Sequence, residues 1–423
     1  MKYLKSMFKK ISITIFCCIL SINLFAQLNT ESPYSYFGLG DLSKNAFPIN
    51  NALGGASTSL YESNIINPYN PASYTSFLPN TFMLSTGIWH KTTDMQNNTE
   101  SQITNNTSFS HFNIGFPINN KIGFSMGLIP FSSTGYDFNS RNDVNELDMI
   151  YSGDGDLSRF YFGAGYKLTE ELSLGLNASY LFGSLNRRSK LIYDDNSFLN
   201  SRSNHQINLR GYYYEIGAKY SNIFKDNKEL ILSATLNNDS KIRVNETILV
   251  ETFDFYGIEE RVQDTSENSS LWGNAILPQQ ISIGLSIKEG KKWLAIIDYN
   301  TQDWSRYSVL DKVYDLNNSM KISGGIQYVP EYNSVSQYYK RIKYRFGSSY
   351  AITPLELNGN IIKEKSVSIG FGFPFKNSGT HYDIAISAGQ RGALSNDLIK
   401  EEFVRFSFSV TYQGLWFIKR KYD

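Results

Sequence analysis

Along most of this chain apolar and polar residues alternate one for one. Leu172, Leu174, Leu176, Ala178, Tyr180 and Phe182 share one side of an extended backbone, and Ser173, Gly175, Asn177, Ser179 and Gly183 share the other. A repeat of two is the period of a β-strand with one apolar face. The pattern returns at Ile281, Ile283, Leu285 and Ile287, at Val367, Ile369, Phe371 and Phe373, and at Val404, Phe406, Phe408, Val410 and Tyr412. The opposite face of these segments is small and polar.

The connections between the alternating runs are of two kinds. Short polar turns occur near 119–120, 168–171, 225–228, 288–292 and 376–380. Longer polar stretches lie at 91–107, 131–157, 193–203, 251–277 and 301–318. Tight turns on one side and long connections on the other are the arrangement of a transmembrane antiparallel β-barrel. Between these connections the alternation predicts about fourteen strands over residues 81–423, an even number that puts both ends of the barrel on the periplasmic side. No helical period supplies a second layer to cover the apolar faces. Lipid removes the need for one, and closure pairs the strand edges. Aromatic clusters such as Tyr212, Tyr213 and Tyr214, or Trp416 and Phe417, suit interfacial girdles.

Composition supports the same reading. Tyr (29) and Phe (28) are abundant and charged residues make up 19%, against about 25% in soluble domains. A formal net charge of +1 gives no electrostatic reason to bind nucleic acid. Residues 1–26 form a different unit. Lys2, Lys5, Lys9 and Lys10 precede the apolar run Ile11–Phe25, and Ala26 ends it, which predicts a cleaved signal peptide. Both cysteines, Cys17 and Cys18, fall inside it, so the mature chain has no thiol for a disulfide or a thiolate metal site. The expected location is the outer membrane of a Gram-negative bacterium, in contact with membrane lipid.

Residues 27–80 do not alternate. They are rich in Asn, Ser, Pro and Gly but also hold Phe37, Leu39, Leu53, Leu60, Ile65, Ile66 and Tyr74, too many apolar side chains for a solvated tail. The interior of a wide barrel is the available place to pack them, so this segment is expected to be a plug or hatch. Within it IINPYNPASY, 65–74, carries two Asn-Pro pairs in a chain of 11 prolines. They read either as structural turns or as a hatch whose conformation matters for passage.

The run ALGGASTSLYESNIINPYNPASYTSF, 52–77, resembles the N-terminal signature of the FadL-type long-chain fatty-acid transporters. The matching positions are Gly54, Gly55 and Ala56, followed by Asn70, Pro71 and Ala72 just before the first strand. The resemblance implies a fourteen-stranded barrel with an N-terminal hatch that takes up hydrophobic small molecules passively and releases them sideways into the membrane. SPYSYFGLGDL, 32–42, and the additional Asn67 and Pro68 depart from the family pattern. Relatives with this barrel type also serve as partners in protein secretion to the cell surface. A non-transporting barrel acting as an accessory in surface-protein secretion is therefore the alternative function, with a secretion-system component as partner.

Candidate chemistry is sparse. Arg341, Lys343 and Arg345 recur at period two in a strand expected from 338 to 351, so they are expected to face the lumen. There they would either hold an anionic head group or pair with the luminal acids Glu215, Asp298 and Asp383. His90, His111, His205 and His381 lack metal-ligand spacing. Asp154, Gly155 and Asp156 are too few for a calcium loop and read as an exposed outer loop. No nucleophile elbow, phosphate loop or dinucleotide fingerprint is present, so neither enzymatic activity nor a cofactor or metal is expected. The aromatic end of the last strand, 403–417, suits recognition by the barrel-insertion machinery during assembly.

Overall fold

The computed structural model describes residues 32–42, 47–144, 146–195, 197–224, 228–375 and 379–416. The expected signal peptide, Phe417 and the basic end of the chain lie outside the described residues. The alternating segments form a closed antiparallel barrel of 14 strands. In chain order these are β1 (Thr81–Gln96), β2 (Ser101–Pro117), β3 (Ile122–Asn142), β4 (Leu147–Lys167), β5 (Leu172–Tyr193) and β6 (Asn200–Phe224). Two interrupted strands follow, β7 (Lys228–Asn237 and Ser240–Tyr256) and β8 (Glu259–Leu277 and Gln280–Glu289). The circuit continues with β9 (Trp293–Gln302), β10 (Ser319–Tyr328), β11 (Lys343–Leu357), β12 (Asn360–Pro374), β13 (His381–Arg391) and β14 (Lys400–Leu415). Closure comes from β14 against β1, in register from Lys400 opposite Gln96 to Leu415 opposite Thr81.

The apolar stripe of each strand faces outward and stays exposed, as with Leu176 (49%), Ile216 (55%) and Ile297 (52%). Such a surface is stable only in lipid. The Ser, Gly and Asn stripe faces inward and is buried. Of the three tyrosines expected in a girdle, Tyr212 and Tyr214 face outward but Tyr213 is buried in the lumen, because neighbours along a strand point to opposite faces.

The long connections are mostly strand. Residues 131–142 and 147–157 continue the β3–β4 ladder as far as Asn142 opposite Leu147, and Glu251–Tyr256 pairs with β8. Alternation fades there because the outward face has left the lipid and carries polar residues, while the inner face still buries Tyr136, Leu157 and Phe253 and the backbone ladder carries on. The hairpins from β3 to β8 therefore stand as a wall above one side of the barrel. Asp154, Gly155 and Asp156 lie in β4 rather than in a loop, and Asp154 pairs with Arg188 of β5 at 2.7 Å.

Candidate functional site: a filled lumen beside a lateral seam

The N-terminal segment lies inside the barrel in two parts. Near the short-turn end, helix α1 (Pro48–Ala52) is capped by the predicted glycines: the Gly54 and Gly55 amides donate to the Asn51 and Asn50 carbonyls at 3.1 and 2.7 Å. Both glycines have positive φ, +71° and +92°, a conformation that costs a side chain energy. Gly54 also presses against β11, where an added Cβ would come 2.2 Å from the Ser348 carbonyl oxygen. Ala56 follows, fully buried. The chain then turns over Asp298 of β9, whose carboxylate accepts the Ser57 and Thr58 amides, each at 2.6 Å.

The two Asn-Pro pairs hold this turn from the other side. Asn67 donates from Nδ2 to the Ser57 and Leu60 carbonyls at 2.7 and 3.1 Å, while its Oδ1 accepts the Tyr69 amide. Asn70 donates to the Thr58 carbonyl at 2.8 Å, and its Oδ1 caps the 3-10 turn Pro71–Ser76 by accepting the Ala72 amide at 3.1 Å. Each proline fixes the φ of its own residue, and each asparagine cross-links two stretches of the segment. Pro71 and Ala72 lie on Gly175 of β5, where a Cβ would sit 2.3 Å from the Ala72 nitrogen. Asn177, two residues along the same inward stripe, donates to the Pro68 carbonyl at 2.8 Å and accepts from the Tyr74 hydroxyl at 3.0 Å. The small polar face of the strands is thus a cradle for plug backbone.

An ionic chain ties the segment to the barrel wall. Arg345 of β11 donates to Asp383 of β13 at 2.6 Å, with both side chains fully buried, and to Gln327 of β10 at 2.7 Å. Gln327 in turn donates to Glu62 at 2.8 Å, and Lys343 forms an ion pair with the same carboxylate. Burial pushes the Glu62 carboxyl up, but the charges of Lys343 and Arg345 outweigh it and bring it down to about 2. Arg341 does not join them. Residues Tyr338–Arg341 form a 3-10 turn before β11 begins, which takes Arg341 out of the strand phase and stacks it on Tyr338, 5.0 Å from the ring centroid. The three cations expected on one face are therefore two, and both are engaged with carboxylates. Of the other proposed luminal acids, Glu215 pairs with Arg159 at 3.5 Å and Asp298 serves the plug turn.

In the long-hairpin half, SPYSYFGLGDL forms the second part. Asp41 and Leu42 pair with Ser133 and Ser132 of β3, the Ser32 amide donates to the Gly135 carbonyl at 2.9 Å, and Asp41 pairs with Arg391 at 2.7 Å. Tyr34 and Leu39 pack into a luminal apolar cluster with Leu157, Leu181, Leu185, Tyr307 and Leu316. A cavity of about 220 Å³ remains beside this segment. Phe37, Leu39, Trp89, Leu355 and Phe403 give it apolar walls, and Lys91, Lys321, Glu364 and Arg405 bring charge to it. The Lys91 ammonium lies 5.9 Å from the Phe403 ring centroid.

The cavity adjoins a seam. The β2–β3 ladder holds for six pairs, from Pro117 opposite Gly123 to Phe112 opposite Leu128, and then ends. Pro130 and a register shift between Pro130 and Ser132 turn the outer half of β3 toward the plug strand Asp41–Leu42 instead. Ser133, Asp41 and Leu42 of this junction line the cavity.

The BamG family profile matches residues 7–423. The chain belongs to the BamG family. A comparison with curated proteins finds no match. Among solved structures, this BamG-family chain resembles the Pseudomonas putida toluene transporter TodX, at 15% identity over 93% of this chain and 100% of that one, with a TM-score of 0.60. It also resembles the Ralstonia pickettii toluene transporter TbuX (14%; 87% and 98%; TM-score 0.61) and a Pseudomonas aeruginosa FadL homologue (13%; 85% and 96%; TM-score 0.56). At such identities the likeness is one of fold.

Several working residues of this BamG-family barrel lie outside the motifs picked from its sequence. Glu62, Gln327, Asn177 and Lys91 are single polar residues on inward stripes or in the plug, and nothing local distinguishes them. The inward phase of Asn177 is legible, but its partners come from distant parts of the chain, whereas Lys91 falls in a stretch expected to be a connection that the structure makes strand to Gln96.

Proposed function

We propose that this chain is an outer-membrane barrel for passive uptake of hydrophobic small molecules such as long-chain fatty acids, with the segment 27–80, described over 32–42 and 47–80, as its plug or hatch. The observation that carries this reading is the seam: a break in the β2–β3 ladder next to a luminal cavity with apolar walls. A ligand entering from the long-hairpin side has an apolar surface to bind, and the end of the β2–β3 ladder marks where it would leave sideways. The names of TodX and TbuX, as toluene transporters, support this reading. Ligand pockets usually hold about 300 Å³ or more, so a long acyl chain requires the 32–42 segment to shift. The apolar walls beside Lys91 favour a ligand with an apolar body and an acidic end.

The test is lipid analysis of purified protein together with uptake of labelled fatty acid by a deletion strain. Bound acyl chains and slowed uptake are expected. No bound ligand with unchanged uptake would overturn the proposal.

A second reading, an accessory in surface-protein secretion, is favoured by one observation. The wall of long hairpins carries cross-strand ion pairs above the belt, among them Arg202 to Glu251 and Glu260, and Arg141 to Asp148 and Asp194. Such a wall suits contact with a polar macromolecule. Loss of surface-protein export in the deletion strain, with normal uptake, would select this reading.

A further inference from the structure

We propose that the short-turn rim of β9, β10 and β11 binds the phosphate of a phospholipid in the periplasmic leaflet, with Lys291, Lys292 and Arg341 as its cationic partners. A row of aromatic residues marks the lipid boundary at this end of the barrel. Trp293 stands opposite Tyr328, Tyr328 opposite Tyr344, and Tyr344 opposite Phe371, so four adjacent strands carry a ring at one level. The row faces outward, since the next residues along the strands, Leu294, Gln327 and Lys343, are buried on the inner face. Such a belt lies where acyl chains give way to headgroups. The Trp293 indole donates to Glu289 at 2.7 Å, which holds it at that level.

The cations stand just beyond that row. Lys291 and Lys292 lie in the β8–β9 turn, and Arg341 lies near the end of the β10–β11 connection, the longest at this end of the barrel. The connection is drawn toward the lipid face, because the outward-facing Tyr344 donates from its hydroxyl to the Tyr339 carbonyl at 3.0 Å. At its start the Val329 amide donates to the Lys292 carbonyl at 2.7 Å, which ties it to the β8–β9 turn. Tyr338 and Tyr339 are 45% and 57% exposed. Aromatic faces hold two of the cations: the Lys291 ammonium is 4.0 Å from the Tyr332 ring centroid, and the Arg341 guanidinium is 5.0 Å from that of Tyr338.

Charge sets this stretch apart from its neighbours on the rim. There Glu170 pairs with Lys167, and Glu229 with Lys288 at 2.9 Å and Lys219 at 4.0 Å. Here Glu331 answers Lys340 at 3.2 Å, while Lys291, Lys292 and Arg341 make no ion pair among the described residues. Three unanswered cations beside an aromatic belt fit a negative group attached to an apolar body. A phospholipid supplies both, its phosphate against the basic groups and its chains against the belt. A soluble phosphate would use the cations and leave the belt idle. The inference rests on the barrel lying in a membrane and not on uptake, since a retained phospholipid reports the first and ligand transport the second.

The experiment is native mass spectrometry of the detergent-purified protein with phosphatidylglycerol, with diacylglycerol of the same chains, or with glycerol 3-phosphate. Retention of phosphatidylglycerol is expected, and of neither other compound at equal concentration. Arg341→Gln and Lys291→Gln should each weaken retention about fivefold. Lys167→Gln, which alters a paired cation on the same rim, should leave it unchanged, with heat-modifiable migration kept in all three variants. A photo-crosslinking residue in place of Tyr339 should label lipid in whole cells. Equal retention of diacylglycerol or glycerol 3-phosphate, retention unchanged by both glutamines, an equal loss in Lys167→Gln, or a protein adduct instead of lipid at position 339 would overturn the proposal.

Discussion

Asn70 donates from Nδ2 to the carbonyl oxygen of Thr58 at 2.8 Å, joining the second Asn-Pro pair to the turn that follows Gly-Gly-Ala. Its Oδ1 caps the next 3-10 turn at the same time. Asn70→Ala leaves the buried Thr58 carbonyl and Ala72 amide unpaired, at about 1 to 3 kcal/mol each. Faster hydrogen exchange across 57–77 is expected, with the barrel strands unchanged.

Gly347 of β11 faces the plug so closely that a Cβ would lie 2.1 Å from the Gly54 nitrogen. Gly347→Val should displace the plug at a cost of about 1 to 3 kcal/mol or more. Increased protease cleavage within 47–77 and higher single-channel conductance would register it, and wild-type behaviour in both would contradict the packing described.

Arg345→Met removes the guanidinium partner of a fully buried Asp383 and leaves His381, 3.1 Å from its other carboxylate oxygen, as the remaining partner. Breaking a buried pair costs at most about 3 to 5 kcal/mol, less where a second partner stays. The double variant Arg345→Met with Asp383→Leu should recover part of that loss. The readout is the temperature at which the heat-modifiable band shifts, and a single variant as stable as wild type would refute the coupling.

Acid should loosen the plug through Glu62. Its carboxyl is lowered from 4.5 to about 2 in the folded protein, so the contribution is complete above about 4.5 and is lost as pH falls toward 2. The upper bound is about 3 kcal/mol at neutral pH. Hydrogen exchange of residues 57–65 should accelerate between pH 5 and about pH 3 beyond its intrinsic pH dependence, and Glu62→Gln should be fast at both.

On the uptake reading, Lys91 should distinguish the ligand classes of the cavity it lines. Lys91→Met should weaken binding of a fatty acid by about 10- to 100-fold, from the loss of a charge-assisted contact, and leave binding of a neutral aromatic unchanged. Equal effects on both ligands would remove Lys91 from ligand recognition.

Period-two alternation in β5, β12 and β14, taken with the succession of short and long connections, pointed to the barrel, because a strand in lipid must keep one face apolar along its whole spanning length. The outer parts of β3, β7 and β8 lack that signal, since an outward face above the lipid is free to be polar. The Gly-Gly-Ala and Asn-Pro-Ala residues were legible because turns restrict residue type at a single position. Arg341 leaves the luminal row because the strand begins at Lys343 and the four residues Tyr338–Arg341 form a 3-10 turn, while Lys343 and Arg345 keep the expected inward face.

The sequence by itself pointed to the barrel and to a packed, non-alternating N-terminal segment over 27–80. Each follows from constraints that act along the backbone: alternation, turn chemistry and apolar content. Only the tertiary structure decided which carboxylate answers each luminal cation, where the β2–β3 ladder stops, and that 32–42 fills the outer lumen. Those features depend on contacts between residues tens to hundreds of positions apart, such as Asp41 with Arg391 and Glu62 with Lys343. Barrel closure creates that proximity, and no local pattern encodes it.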